Sequence, residues 1–317
     1  MAKSSRGKRG TIGMIGLGLM GRAFSGSLLA DGHPVAGTDP SPSARAKFKK
    51  MGGVLAPSPR EVAEAAGVVF LSVPNSKIAL ACAGGPDGFL AARKLPRLVI
   101  DTTTADPEDA KRMEALCRKK GVPFLEARVS GGSAFVAKRQ GLFLAGGGAK
   151  ARRLGKALLG RLLSDQVHCG PVGSASVIKI IINYLASMER CAIAESLRLG
   201  ERCGIRGALL LGAITRSASD SRQVRNRGPR MLARRFRNPA STMAVITKDI
   251  RLGLLLARRT RSEAPVGKAS LPLFEEAERS GYGPLDSGAV FQVYLDREKK
   301  RGERRTGKRA RKDRRRR

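Results

Sequence analysis

Three groups of residues in this chain have the types and spacing that chemistry needs. The first is a lysine in an apolar helix. Lys179 stands inside Val-Ile-Lys-Ile-Ile-Ile at 177–182. Burial disfavours an ammonium and lowers its pKa, and a lysine brought toward neutral pH can exchange a proton with a hydroxyl. Asn183 follows four residues later, so a helix puts both on one side, where the amide can hold the lysine or a ligand oxygen. Taken alone, the pattern also fits a lysine that snorkels to solvent. The second group is Ser130-Gly131-Gly132. A hydroxyl beside unhindered N–H groups suits a small carboxylate, although ordinary turns share this composition.

The third group is Gly16-Leu17-Gly18-Leu19-Met20-Gly21, which fits G-x-G-x-x-G after a strand and before a helix. Its glycines permit the tight turn and a close backbone approach, and the helix start offers free N–H groups to a pyrophosphate. Asp39 ends the next strand, eighteen residues after Gly21. An acid there bonds ribose hydroxyls and repels a 2′-phosphate, which favours NAD over NADP. Arg45 lies near enough in sequence to keep NADP open, and Asp39 also reads as a turn residue before Pro40.

Other chemistries are poorly supplied. The histidines are two, His33 and His168, and the five cysteines at 82, 117, 169, 191 and 203 form no C-x-x-C pair. These numbers argue against a histidine triad, a zinc site and a disulfide framework, so no metal is expected and a reducing cytoplasm fits. No apolar run reaches the roughly 18 residues of a membrane span, and no signal-like apolar region follows the basic start.

The elements that must hold these groups change character along the chain. Strands are expected at 11–15, 34–38, 67–73, 98–101, 122–127 and 141–144, with helices at 22–32, 43–51 and 107–120 between them. Such alternation implies a mainly parallel sheet with helices on both faces. From about 170 onward only helices are expected, at 174–202, 208–217, 243–259, 267–279 and 287–297. The fold class is therefore α/β, a Rossmann-type doubly wound sheet followed by an all-α domain. The expected organisation is a basic arm (1–10), a dinucleotide-binding domain (11–170), a helical substrate and oligomerisation domain (171–297) and a disordered basic tail (298–317).

The formal net charge is +35. From 297 to 317 there are fourteen lysines and arginines against three acids, and 216–237 holds eight arginines against one aspartate. Such charge attracts polyanions. A second expectation, of a different class, is therefore a dehydrogenase scaffold whose basic surface binds nucleic acid or another polyanion. Against it, three tyrosines, ten phenylalanines and no tryptophan stock a base-stacking platform poorly.

Several ordered motifs resemble the β-hydroxyacid dehydrogenase family, which includes 3-hydroxyisobutyrate dehydrogenase and tartronate semialdehyde reductase. They are IGLGLMGRAF (15–24), FLSVPNSKIA (70–79), VIDTTTADP (99–107), EARVSGG (126–132), GPVGSASVIKIIIN (170–183), NRGPRML (226–232) and KDIRLGLLLA (248–257). The resemblance spans about Ile12 to Tyr294. It implies an NAD(P)-dependent oxidoreductase interconverting a small β-hydroxy acid and its semialdehyde or keto acid. Lys179 is then the general acid/base, Asn183 its partner and Ser130 a carboxylate binder. The resemblance adds Val73, Pro74 and Ile78 as the loop covering the cofactor, Thr104 near the nicotinamide and Lys248 as a cofactor contact. It also implies a homodimer or homotetramer. A related imine-reducing type generally lacks the helix lysine. The chain departs from the pattern at Arg128, where a proline is usual. The segment 132–141 looks two residues longer and basic, Ala175 replaces a glycine, and Ile182 replaces an asparagine. Arg128 is accordingly expected to offer a second positive charge to a dicarboxylic or phosphorylated substrate.

Overall fold

The structure is a computed structural model that describes residues 9–239 and 241–301. The basic arm up to residue 8 and the basic tail from 302 lie outside the described residues. The chain forms two compact units that change over between Lys179 and Ile180, inside one continuous helix.

The first unit is built on an eight-stranded sheet of order β3-β2-β1-β4-β5-β6-β7-β8. The strands are β1 (Ile12–Ile15), β2 (Val35–Thr38), β3 (Val54–Leu55), β4 (Val68–Leu71), β5 (Leu98–Asp101), β6 (Phe124–Ser130), β7 (Leu142–Gly146) and β8 (Asp165–Gly170). Pairs from β3 through β6 are parallel, β6 and β7 are antiparallel, and β7 and β8 are parallel. Helices α1 (Leu19–Ala30), α2 (Pro42–Lys50), α3 (Pro59–Ala65), α4 (Ser76–Ala83), α5 (Pro107–Lys119), α6 (Ser133–Val136) and α7 (Ala149–Leu162) connect the strands.

Alternation along the strands divides the core in two. Met14, Phe70, Leu98, Ile100, Leu125 and Phe143 join one cluster with Phe24 and Leu28 of α1. Ile15, Val69, Leu71, Val99 and Phe124 join the other with Val62 of α3 and Met113 of α5. Successive strand residues point to opposite faces, and strands buried on both faces read as continuous apolar runs. Phe24 stacks on Phe143 with ring centroids 5.7 Å apart, which ties α1 to the far half of the sheet.

The register sets the functional edge. Ile15 is level with Thr38 on β2 and Leu71 on β4, Leu71 with Asp101 on β5, and Asp101 with Glu126 on β6. The strands β1, β2, β4 and β5 thus end together, while β6 runs four residues further, to Ser130. Ligands of such sheets bind outside these carboxyl ends.

The second unit is helical. After α8 (Ser174–Arg202) come α9 (Gly207–Ile214), α10 (Arg222–Leu232), α11 (Met243–Thr260), α12 (Pro265–Ala277) and a final helix at 290–301. Leu197, Met231, Ile250, Phe274 and Phe291 meet in its core. Tyr184 of α8 packs where α11 and α12 carry Gly253 and Gly267; a Cβ on Gly267 would stand 1.7 Å from the phenol oxygen. No described helix is long and apolar enough to cross a membrane.

Candidate active site

The glycine loop is shaped for a ligand on one side only. Gly16 has φ +95° and passes so near Ser72 that a Cβ would meet its carbonyl oxygen at 2.3 Å. At Gly21 a Cβ would meet the Gly16 carbonyl oxygen at 2.0 Å. Gly18, by contrast, faces open space, with nothing within 4 Å of a built Cβ. Helix α1 starts at Leu19, one turn earlier than the expected Arg22, with Gly18 as its N-cap and no side-chain cap. Its first turn carries no acid. The first N–H groups and the positive end of the helix dipole are therefore available to an anion. Leu17 is buried and Leu19 is exposed, so the loop shows backbone and one side chain outward.

Asp39 buttresses this loop. Its carboxylate accepts the Leu17 N–H at 2.7 Å and the Ser41 N–H at 2.8 Å. Arg45 donates to the Asp39 main-chain carbonyl at 3.3 Å, so both the acid and a guanidinium stand at the end of β2. A dinucleotide fits these residues: a cradle closed by Gly16 and Gly21, open at Gly18, with an acid at the neighbouring strand end.

The next two loops are joined. Thr102 donates its N–H and its hydroxyl to the Leu71 carbonyl at 2.9 and 2.8 Å, and the Val73 N–H donates to Thr103 Oγ1 at 3.3 Å. Val73 and Thr104 thus belong to neighbouring loops at the carboxyl edge, both half-buried. Pro74 and Ile78 are exposed, at the start of α4, where Asn75 Oδ1 accepts the Ile78 N–H at 3.0 Å. Beyond them, Ser130 is half-buried at the end of β6, and Gly131 is exposed with φ +149°.

Lys179 is half-buried on α8, and Asn183 follows one turn further along the same helix. Within the second unit Asn183 Nδ2 donates to Asp249 Oδ2 at 2.8 Å. Asp249 is 4% exposed, and its other oxygen lies 3.4 Å from Lys248 Nζ. Lys248, 44% exposed at its side chain, keeps room for a further partner. Among the described residues, no group of histidines, cysteines and acids could hold a metal ion.

Arg128 corrects the reading from sequence. It is 1% exposed and cannot present a charge to a substrate. Its Nε donates to Glu126 Oε1 at 3.1 Å and to Ser176 Oγ at 3.0 Å. Its Nη1 donates to Asp101 Oδ2 at 2.8 Å and to the Thr103 carbonyl. Burial opposes this charge, yet the Asp101 and Glu126 carboxylates outweigh it and raise the Arg128 pKa. Glu126 in turn caps α8, accepting the Gly173 N–H at 2.7 Å and the Ser176 N–H at 2.8 Å. Sequence reasoning did not single out Glu126, Asp101 and Ser176 as the partners of Arg128, nor Asp249 as the partner of Asn183. One signal was legible: Glu126, Arg128 and Ser130 alternate along a buried strand, so they share a face.

The basic segment at 132–141 closes on the end of helix α1 through Arg139, at φ +58°. Its Nη2 donates to Asp31 Oδ1 at 2.7 Å and its Nη1 to Asp31 Oδ2 at 3.1 Å. Hydrogen bonding from Arg139 holds the Asp31 carboxyl below its usual range. The arginines of 216–237 are partly engaged as well. Arg227 donates to both oxygens of Asp286 at 2.8 and 2.7 Å, and Arg225 donates from Nε to Asp220 at 2.8 Å. Burial and the neighbouring Arg227 push Arg190 down to about 10.

Comparisons with known proteins agree with this geometry. Residues 11–170 match the family described as the NAD binding domain of 6-phosphogluconate dehydrogenase. Residues 173–294 match the one described as NAD-binding of NADP-dependent 3-hydroxyisobutyrate dehydrogenase. The chain is 32% identical to L-threonate dehydrogenase of Cupriavidus necator, over 89% of this chain and 95% of that protein. It is 30% identical to human mitochondrial 3-hydroxyisobutyrate dehydrogenase, over 90% of this chain and 87% of that protein. The solved structure of Mycobacterium tuberculosis 3-hydroxyisobutyrate dehydrogenase with L-serine superposes with a TM-score of 0.82 at 28% identity, covering 90% of this chain and 99% of that one. With an open dinucleotide cradle and a helix lysine on such a frame, the chain belongs to the NAD(P)-dependent β-hydroxyacid dehydrogenase family.

Proposed function

We propose that this enzyme interconverts a small β-hydroxy acid and its semialdehyde or keto acid, with Lys179 as the general acid/base. The observation that carries the proposal is the tie between β6 and α8. The strand that ends in Ser130 also bears Glu126, which caps the first turn of the helix carrying Lys179. A substrate carboxylate held by the Ser130 hydroxyl and the Gly131 and Gly132 N–H groups would therefore lie on a segment anchored to the lysine helix. When bound, the nicotinamide accepts or gives the hydride. Lys179 takes the hydroxyl proton in oxidation and returns it in reduction. Its ammonium form also stabilises negative charge on the reacting oxygen, which is largest in the transition state. Asn183 holds the lysine or that oxygen, and Asp249 fixes the amide by accepting from Nδ2.

The cofactor residues in this reading are Gly16 to Gly21, Asp39, Val73, Pro74, Ile78, Thr104 and Lys248. NAD is the preferred dinucleotide because the Asp39 carboxylate repels a 2′-phosphate; Arg45 moderates that preference. The segment 11–170 binds the cofactor, and 171–297 supplies substrate and oligomer contacts. Ile181, Leu185 and Leu199 of α8 and Leu209 of α9 are exposed apolar side chains, which supports a homo-oligomer. Free cysteines support a cytoplasmic setting. Polyanion attraction is assigned to the basic tail; within 216–237, Arg225, Arg227 and Arg230 are paired with acids.

The test is a panel of hydroxy acids that includes 3-hydroxyisobutyrate and L-threonate, read by NAD and NADP reduction. Lys179→Ala should lose turnover by about 10²- to 10⁴-fold and still bind NAD. Unimpaired turnover in that variant would overturn the mechanism.

A further inference from the structure

We propose that Arg128 is a positioning residue that fixes Lys179 against the 101–104 loop. Its guanidinium reaches segments that each end in a residue of the proposed site. Through Nη1 it holds the Asp101 carboxylate and the Thr103 carbonyl, the residue before Thr104. Through Nε it holds Glu126 and the Ser176 hydroxyl. Arg128 itself lies two residues before Ser130 on β6. Ser176 precedes Lys179 by three positions, so both occupy one side of α8.

The chemistry requires a guanidinium. Its donors leave a rigid plane in fixed directions, so one edge can serve Glu126 and Ser176 while another serves Asp101 and Thr103. A lysine ammonium is a point charge on a flexible stem and cannot span both sets. Glu126 and Asp101 are themselves buried, at 0% and 2% exposure. Each acid is engaged elsewhere. Glu126 caps α8, and Asp101 Oδ1 accepts the Thr103 N–H at 2.9 Å. The guanidinium joins these local turns into one unit, so the helix start and the loop hold a single relative placement. The residue at 128, where the family pattern usually has a proline, thereby works from beneath the site and touches no substrate.

This inference rests on Lys179 being the acid/base, and the test separates the two. Arg128→Lys, Ser176→Ala and Lys179→Ala are compared by amide hydrogen exchange without cofactor, by NAD affinity, and by turnover against pH. Arg128→Lys keeps the charge. Exchange in peptides covering 101–106 and 171–180 should rise about 10-fold or more while other segments hold. Its kcat should fall about 10- to 100-fold, as for a misplaced catalytic group, with NAD affinity within about threefold. The pH profile of its residual turnover should shift, because Lys179 meets a changed environment. Ser176→Ala should raise exchange in 171–180 alone and lower kcat less. If Arg128→Lys does not fold, Ser176→Ala decides, through a rise confined to 171–180 with its smaller fall in kcat. Unchanged exchange with full kcat overturns the inference. So does a rise in exchange throughout the chain with matching loss of NAD affinity, which marks general loosening. If Lys179→Ala keeps its turnover, the acid/base assignment fails instead, whatever Arg128 does.

Discussion

Replacing the loop glycines one at a time separates what the cofactor requires from what the fold requires. Gly18 has φ −62° and ψ −167°, an extended conformation open to any residue. A methyl group there meets nothing within 4 Å. Gly18→Ala should therefore fold normally without cofactor, with a melting temperature equal to or slightly above that of the native chain, because alanine has less freedom to lose on folding. The methyl does, however, occupy the side from which phosphates approach the N–H groups of α1. Losing one or two charge-assisted hydrogen bonds, at about 1.5–3 kcal/mol each, weakens NAD binding by about 10- to 100-fold or more. Gly21→Ala is different. Its methyl would stand 2.0 Å from the Gly16 carbonyl oxygen, so α1 must back away by about 1 Å or more to reach ordinary contact. Overpacking of this kind costs about 1–3 kcal/mol, which lowers the melting temperature by roughly 3–10 °C and weakens NAD as well. The assay is thermal unfolding without cofactor beside NADH titration by dihydronicotinamide fluorescence. Native-like NAD affinity in Gly18→Ala would refute the reasoning, as would a loss of its apo stability as large as that of Gly21→Ala.

Two further outcomes follow from packing and charge. Gly267→Ala should destabilise the helical unit by about 1–3 kcal/mol or more, since its Cβ would fall 1.7 Å from the Tyr184 oxygen; chemical denaturation followed by circular dichroism checks this. Asp31 is depressed in the fold, mainly by the hydrogen bond from Arg139. Its contribution is present above the unfolded carboxyl value and is lost as pH falls through the folded one. The stability gap between the native chain and Arg139→Gln should accordingly stay constant from pH 7 to about 5 and shrink below about pH 4. With Arg139 40% exposed, the gap itself should be below about 1 kcal/mol. A gap that widens on acidification would contradict the assignment.

Most of the frame was legible because apolar runs and their punctuation are local. β1, the glycine loop and α1 follow one another in the sequence, and β4 and β5 are continuous apolar runs. Three of the missed elements, β8, α10 and α7, hide their period. β8 is an edge strand whose residues Asp165–Gly170 are partly or fully exposed, so no apolar alternation marks it. In α10 the buried positions are Val224, Arg227, Gly228 and Met231. Their spacing is helical, but an arginine and a glycine stand where apolar residues would announce it, and Pro229 reads as a breaker. α7 carries Gly155 at its buried face because Leu125 passes 2.4 Å from where a Cβ would be. In the site, the nucleotide loop and the lysine helix were legible as motifs. The Arg128 network was not, because Asp101 and Ser176 are 27 and 48 residues away in sequence and only the fold brings them together.

The seat of Tyr184 has a dynamic consequence. One edge of the ring lies against backbone at Gly253 and Gly267, the places where the neighbouring helices carry no side chain. A phenol ring can turn over only if a gap about its own width opens beside it, and close-packed interiors supply such gaps rarely. The ring's two edges should then give separate signals in a magnetic resonance spectrum, merging only on warming. Their coalescence temperature would record how often α11 and α12 part, and so clock the breathing of the helical unit one residue away from Asn183.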